Sequence, residues 1–327
     1  MEALWVAACP DEADRFFAFM TTAAAAEVGS GTPLQIMFGV GGEHDLAERV
    51  LPHLRGWRDS RPVRVGNDAW RQQQIDVYGE LLSAAHRLAD QIRAMDDDMR
   101  VFFIALADTA AERWRDADQG VWEVRGEPQH FLYSKVMCWV ALDRAVKLAD
   151  KLRATERVDG WKRAQDEIWH SVVRDGWNEQ AGAFTQYYGS TDLDASNLMM
   201  PIVGFLPADD PRMLATIGDR LTDECGLVYR YRTEGGVDGL AGQEGTFLLC
   251  TFWLAQALAM AGRVERAREV FERAAGCAND LGLLAEEVDV HTGELLGNFP
   301  QTFSHIGLVN AAWAISEAER RPARPGR

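Results

Sequence analysis

The chain has 327 residues, 47% of them hydrophobic, with 34 basic and 50 acidic residues and a formal net charge of −16. That composition supports a large core and excludes bulk disorder; the acidic field disfavours nucleic acid and anionic membrane surfaces while leaving a neutral ligand unpenalised. No apolar run reaches the roughly 18 residues of a membrane helix, and the start, MEALWVAACPDEADRFF, lacks the basic segment of a secretory signal.

In chain order, apolar residues recur at three- and four-residue intervals in ADRFFAFMTTAAAA (13–26), WRQQQIDVYGELLSAAHRLADQIRAM (70–95), YSKVMCWVALDRAVKLADKL (133–152) and WKRAQDEIWHSVVRD (161–175). The pattern continues in ASNLMMPIVGFL (195–206), GTFLLCTFWLAQALAMAG (245–262), ERAREVFERAAGCA (265–278) and HIGLVNAAWAISEAER (305–320). Alternation of the strand type is brief, best in GLVYRYR (226–232), which reads as a short ribbon. About ten helices without parallel-strand runs predict an all-α domain. The hairpins lack an alignable solenoid repeat and fit a closed ring better than an open superhelix. The unit is expected to span 1–320, with RRPARPGR closing the chain and 321–327 a loose tail.

The five cysteines, Cys9, Cys138, Cys225, Cys250 and Cys277, are odd in number and widely spaced, mostly in apolar surroundings. They read as reduced, buried thiols of a cytoplasmic protein. Several familiar motifs fail. FGVGGEHD has His44 where a dinucleotide fingerprint needs its last glycine, and no strand precedes it. There is no Walker pattern, HExxH, CxxC or Gly-x-Ser-x-Gly elbow, so neither a metal nor a cofactor is implied.

What remains is a set of carboxylates in aromatic, glycine-rich loops. In DQGVWEVRGE (118–127) a glycine opens a turn and Trp122 stands beside Glu123. In LLAEEVDVHTGELLGNFPQTFSHIGL (283–308) Glu286 and Glu287 are adjacent after an apolar run. Burial or its neighbour's charge should raise the carboxyl pKa of at least one of them. Two carboxyls of this kind are the minimal apparatus of glycoside hydrolysis, one donating a proton to the leaving oxygen and the other activating water or attacking directly.

The loops in order resemble the bacterial members of glycoside hydrolase family 15, the glucoamylase- and trehalase-like enzymes with an (α/α)6 barrel. The matching stretches are LQIMFGVGGEHDLAERVLPHLRGWRDSRPVRVGN (34–67), QIDVYGELL (74–82), DQGVWEVRGEPQHFLYSKVMCWVALDRA (118–145), LMMPIVGFLPADDPR (198–212), DGLAGQEGTFLLCTFWLAQALA (238–259) and AEEVDVHTGELLGNFPQTFSHIGLVNAA (285–312). The resemblance implies Glu123 as general acid and Glu286 as general base, favoured over Glu287, which orders the loop or binds a hydroxyl. It implies inversion, with the carboxyls roughly 6.5–9.5 Å apart. Trp122 would cover Glu123 and stack on a pyranose ring, and Arg230 is matched, on looser spacing, to an arginine that hydrogen-bonds the first sugar.

Trp57, His130 and Lys135 are further candidates for the cleft, each weighed against an ordinary packing or surface role. Trp139 and Trp253 read as core, His305 as a satisfied histidine under the base loop, and Glu244 as a charge opening a helix, favourable there without a catalytic purpose. The implied substrate is a neutral α-linked glucoside (trehalose, maltose or an isomalto-type oligosaccharide), cleaved by an exo-acting enzyme that needs no cofactor.

One departure stands out. The family's Trp-x-Arg-Asp sugar clamp has no counterpart at the start of the chain, and WRDA (114–117) sits against the acid motif instead. The resemblance therefore implies a barrel incomplete at its amino end, without the β-sandwich of bacterial relatives. Apolar faces left bare by such a loss would favour association, including a homo-oligomer. The competing reading is a folded barrel without catalysis, acting only as a binding or non-functional domain.

Overall fold

The computed structural model describes residue 3 and residues 9–24, 34–89, 95–232 and 244–320. The tail 321–327, the first eight residues other than Ala3, and most of the DGLAGQEG stretch lie outside the described residues.

The principal helices are α1 (Pro10–Ala23), α2 (Val77–Leu88), α3 (Asp97–Arg113), α4 (Leu132–Leu152), α5 (Val158–Asp175), α6 (Met199–Ile202), α7 (Pro211–Thr216), α8 (Leu248–Met260), α9 (Val264–Ala275) and α10 (Thr302–Arg320). Strands are two-residue pairs, all antiparallel: β1 (Arg49–Val50) with β2 (Arg64–Val65), β3 (Trp177–Asn178) with β4 (Ala183–Phe184), and β5 (Thr246–Phe247), β6 (Glu287–Val288) and β7 (Leu295–Leu296) in the order β5-β6-β7.

Burial separates the helices into two layers. Most of α4 is buried, including Val136, Met137, Cys138, Val140, Ala141 and Leu142, and α8 is apolar almost throughout. Helices with no wet face belong in the interior. In contrast α9 buries only Ala267, Val270 and Ala274 and turns its charges outward; α5 likewise buries Trp161, Ile168, Ser171 and Val172 along one stripe. Helix α4 packs on α2, α3 and α5, and α8 packs on α9 and α10, with α6 touching both α4 and α8. Close approach needs small residues. A Cβ on Gly79 of α2 would meet the Met137 carbonyl oxygen at 2.1 Å, so glycine there lets the α2 and α4 backbones touch.

The ends of these helices obey local chemistry. Asp96 caps α3, its carboxylate accepting the Met99 N–H at 2.8 Å. Pro10 occupies the first turn of α1, followed by Asp11 and Glu12 where acidic charge favours the amino end. The connections from α4 to α5 and from α8 to α9 are short. The long connections precede α2, α4, α6, α8 and α10, and they carry the site.

Four expectations change. The helix read over 70–95 begins only at Val77, because Gln73 and Ile75 give their backbone N–H groups to Gln119 and Asp118 of another loop. The helix read over 195–206 is a 3-10 turn (Ala195–Leu198) running into the single turn α6, which ends near Gly204 at φ 81°. GLVYRYR forms only isolated bridges, Thr222 to Val228 and Asp194 to Tyr231. The cysteines are free, but only Cys138 and Cys250 are buried and Cys225 is exposed.

Candidate active site

The loop after α3 is pinched at its base, where Asp118 and Gln129 exchange backbone hydrogen bonds of 2.9 and 2.8 Å. Gly120 then turns at φ 68° with its α-carbon against the Phe131 ring, where a Cβ would sit 2.8 Å from ring carbons. Glu123 follows at φ 56°. This left-handed conformation costs a non-glycine residue about 1 kcal/mol or more and persists only where the surroundings impose it. Here Gln72 Nε2 donates to the carbonyls of Glu123 and Val124, each at 3.2 Å. Asn67 Nδ2 donates to Glu123 Oε2 at 3.0 Å. The loop before α2 thus holds both the backbone and the carboxyl of the acid motif.

Trp122 is fixed from below. Its Nε1 donates to both oxygens of Asp194, at 2.9 and 3.0 Å. Asp194 is 4% exposed and also accepts the Ser196 N–H at 2.7 Å and Gln186 Nε2 at 3.1 Å. Burial pushes its carboxyl pKa up, and the donors from Ser196, Trp122 and Gln186 oppose that. The indole lies 5.8 Å from the Phe247 ring and 5.9 Å from that of Trp253. Trp253 is therefore the backing of Trp122, and Trp139 packs edge-on against Phe205. Asp194 escaped the sequence reading; its only local signal was an Asp one residue before a helical run.

The second carboxylate loop is built on the β5-β6-β7 sheet. Glu286 exchanges a hydrogen bond with Asn298, its N–H donating to the Asn298 carbonyl at 3.0 Å, and its Oε2 accepts the Asn298 N–H at 2.9 Å. Its own carbonyl accepts the Leu248 N–H at 3.1 Å. Gly297, at φ 71°, leaves room for this carboxylate, since a Cβ there would be 2.6 Å from Glu286 Oε2. Consecutive side chains on a strand point to opposite faces, and Glu287 makes separate contacts. It accepts the Gly245 N–H at 3.1 Å and lies 3.9 Å from the Arg230 guanidinium. Burial pushes Glu287 up to about 7; Arg230 and the Gly245 N–H pull it down, while Glu244 and Glu286 add to the rise. Glu287 is thus a carboxyl of the adjacent pair that burial perturbs.

Arg230 joins the two loops. Its guanidinium pairs with Glu244 through two nitrogens, Nε at 3.2 Å from Oε2. It lies 5.2 Å from the Phe247 ring centre, 5.5 Å from that of Tyr231 and 5.6 Å from that of Trp122. Glu244 therefore does not open a helix: it precedes strand β5, and its carboxylate is the partner of Arg230. Phe247, which touches Trp122, is paired in the sheet with Glu287. Acid motif and base motif meet through Trp122, Phe247 and Glu287.

The remaining candidates are distributed unevenly. Trp57 is 77% exposed in a 3-10 turn (Trp57–Asp59), and its neighbour Arg58 pairs with Glu294 in the β6-β7 turn, so this loop is clipped to the hairpin that follows Glu286. The His130 ring stacks on Tyr188 at 6.1 Å, and partial burial followed by the Lys135 charge lowers its pKa. Lys135 reaches neither cleft nor surface. It is 1% exposed, its ammonium donates to the Asp116 carbonyl, and burial lowers its pKa against the pull of Asp118. The helical period places Lys135 on the inner side of α4, which a sequence position just after the acid motif does not convey. His305 Nε2 accepts the Leu284 N–H at 3.2 Å beneath the base loop. Among the described residues no group of three or more His, Cys, Asp or Glu is arranged to hold a metal ion, and no helix is long and apolar enough to cross a membrane.

Comparison with known proteins gives the family of this chain. The family model described as glycosyl hydrolases family 15 matches residues 1–313. The trehalase of Mycolicibacterium smegmatis is 45% identical over 318 residues, 96% of this chain and 47% of that protein. The trehalase of Mycobacterium tuberculosis is 44% identical over 96% of this chain and 46% of its own length, and that of Thermoplasma acidophilum 40% identical over 87% and 49%. The chain thus spans about half the length of the relatives it matches. Among solved structures, a bacterial glucoamylase complexed with acarbose superposes with a TM-score of 0.73 at 17% identity, over 97% of this chain and 47% of that one. A glycosidase in complex with glucose superposes with a TM-score of 0.65 at 20% identity, over 79% and 72%. At those identities the superpositions speak for the fold, that of the glucoamylase-like (α/α)6 glycosidases. By the extent of the family match and the identity to its relatives, this chain belongs to glycosyl hydrolases family 15.

Proposed function

We propose that this chain carries the acid–base pair of an inverting, exo-acting α-glucoside hydrolase, with trehalose as its first substrate. The observation that supports the pair is the continuous contact from Glu123 through Trp122 and Phe247 to Glu287 and Glu286, residues 163 positions apart at the extremes, gathered at the loops preceding α4, α8 and α10. In this reading Glu123 protonates the leaving oxygen and Glu286 draws a proton from the attacking water. Arg230 and Trp122 border the pocket as a hydrogen-bond donor and a ring face, and Trp57 stands at its rim. Glu287, held by Gly245 and near Arg230, orders the base loop. The trehalase relatives support the choice of sugar.

The test is glucose release from trehalose, maltose and isomaltose by the purified chain, by Glu123→Gln and by Glu286→Gln. Each variant should lose about 10²–10⁴-fold in rate, the range expected for removing a general acid or base, with trehalose the preferred sugar of the wild type. From maltose, the newly cleaved glucose should first appear as the β-anomer; an α-anomer would remove Glu286 as the activator of water. Equal rates in all three proteins would leave the other reading, a sugar-binding barrel without catalysis.

A further inference from the structure

We infer that Asn67 is a positioning residue for the acid: it holds Glu123 Oε2 as a standing acceptor and so confines the transferable proton to Oε1. The inference rests on the reading of Glu123 as the general acid.

The argument begins with which way the Asn67 amide faces. Asn67 caps the 3-10 turn Asp68–Arg71, its Oδ1 accepting the Ala69 N–H at 3.0 Å. A backbone N–H can only donate, so the atom facing it is the amide oxygen, and the atom facing Glu123 is the amide nitrogen. That nitrogen has hydrogens and no lone pair to offer. At 3.0 Å from Oε2 it requires an acceptor there whatever the charge of the carboxyl. A proton on Oε2 would turn it into a hydroxyl oxygen, a poorer acceptor for that N–H than a carbonyl oxygen, so the acid form carries it on Oε1.

Asn67 is itself held in place. Its N–H donates to the Leu46 carbonyl at 2.9 Å. The preceding Gly66, at φ 81°, is wedged between the carbonyls of Leu46 and Ala47, where a Cβ would come within 2.5 Å of either oxygen. The amide therefore acts as a fixed fork between a helical turn and the carboxyl, 56 residues apart in sequence from its target. Charged neighbours are engaged elsewhere. Asp68 accepts the Glu48 N–H at 2.9 Å, Arg125 lies 3.8 Å from Glu48, Arg71 lies over the Trp70 ring at 4.8 Å, and Arg230 is paired with Glu244. The bond from Asn67 is a direct side-chain contact on the Glu123 carboxyl.

Loss of the Asn67 donor should free the Glu123 carboxyl to turn about its Cγ–Cδ bond and to carry the proton on either oxygen. The experiment measures kcat and KM for glucose release from trehalose, with thermal unfolding to establish that each variant folds. Three variants separate the roles. Asn67→Ser keeps a good cap for the turn but lacks the amide donor; Asn67→Ala removes both; Asn67→Asp puts a like charge against the acid.

Expected is a fall of about tenfold in kcat for the Ser and Ala variants and a larger one for Asp, with KM within about twofold of wild type in each. A wild-type kcat in folded Asn67→Ser and Asn67→Asp would overturn the inference alone. Undiminished glucose release by Glu123→Gln would instead remove the acid assignment, and the inference with it.

Discussion

Glu287→Gln should make the protein more stable at alkaline pH and leave it unchanged at acid pH. The wild-type carboxyl is raised from its ordinary 4.5 to about 7, chiefly by burial, with a side chain only 15% exposed. Between those values the folded protein holds a proton that the unfolded chain releases, so wild-type stability falls as pH rises through the window and stays low above 7. Two and a half pH units at about 1.4 kcal/mol each set a ceiling of about 3.5 kcal/mol on the loss. Glutamine keeps an acceptor for the Gly245 N–H and carries no charge to desolvate. It also ends the repulsion from Glu244 and Glu286, giving up only the Arg230 contact at 3.9 Å.

Urea unfolding of both proteins by tryptophan fluorescence, at intervals from pH 4 to 8, reads the difference directly. It should be near zero at pH 4 and grow in favour of glutamine by pH 8, with an upper bound of about 3.5 kcal/mol. Buried Asp118, pushed up to about 6, imposes its own slope on both proteins and cancels in the comparison. A difference that does not change with pH, or a variant less stable at pH 8, would refute the reasoning that burial dominates at Glu287.

Other substitutions probe the scaffold of the pair. Gly297→Ala should push the Glu286 carboxylate aside, since the new Cβ would stand 2.6 Å from Oε2 at a φ of 71°; glucose release should fall at least about tenfold, with a stability cost of about 1 kcal/mol from the positive φ. Trp122→Phe withdraws the indole donor from buried Asp194 and should lower stability by about 1–3 kcal/mol in calorimetry, the cost of leaving a buried acceptor short of a partner. Glu123→Asn should abolish glucose release yet stabilise the fold by up to about 1 kcal/mol in urea, because Asn tolerates the left-handed conformation that Glu123 adopts at φ 56°.

The helices were legible because their signal is local: the 3.6-residue period of YSKVMCWVALDRAVKLADKL needs no knowledge of what α4 packs against. The same period misled over 70–95, where the backbone of Gln73 and Ile75 is claimed by Gln119 and Asp118 of a loop more than forty residues away. Glu123 and Glu286 could be singled out by the order of their motifs. Choosing between Glu286 and Glu287 on burial could not be done from sequence, since strand alternation gives the two neighbours different partners, Asn298 for one and Gly245 with Arg230 for the other.

Composition, charge and periodicity by themselves determined an acidic, all-helical molecule with carboxylates in its glycine-rich loops, because each of those properties is carried by residues a few positions apart. Which groups press on those carboxylates was decided by the tertiary structure alone. Asn67 reaches Glu123 across 56 residues and Asp194 reaches Trp122 across 72. Lys135, one helical turn into α4, is buried in the interior. Proton affinity and orientation follow from desolvation and hydrogen-bond partners, and these exist only once distant segments have folded against one another.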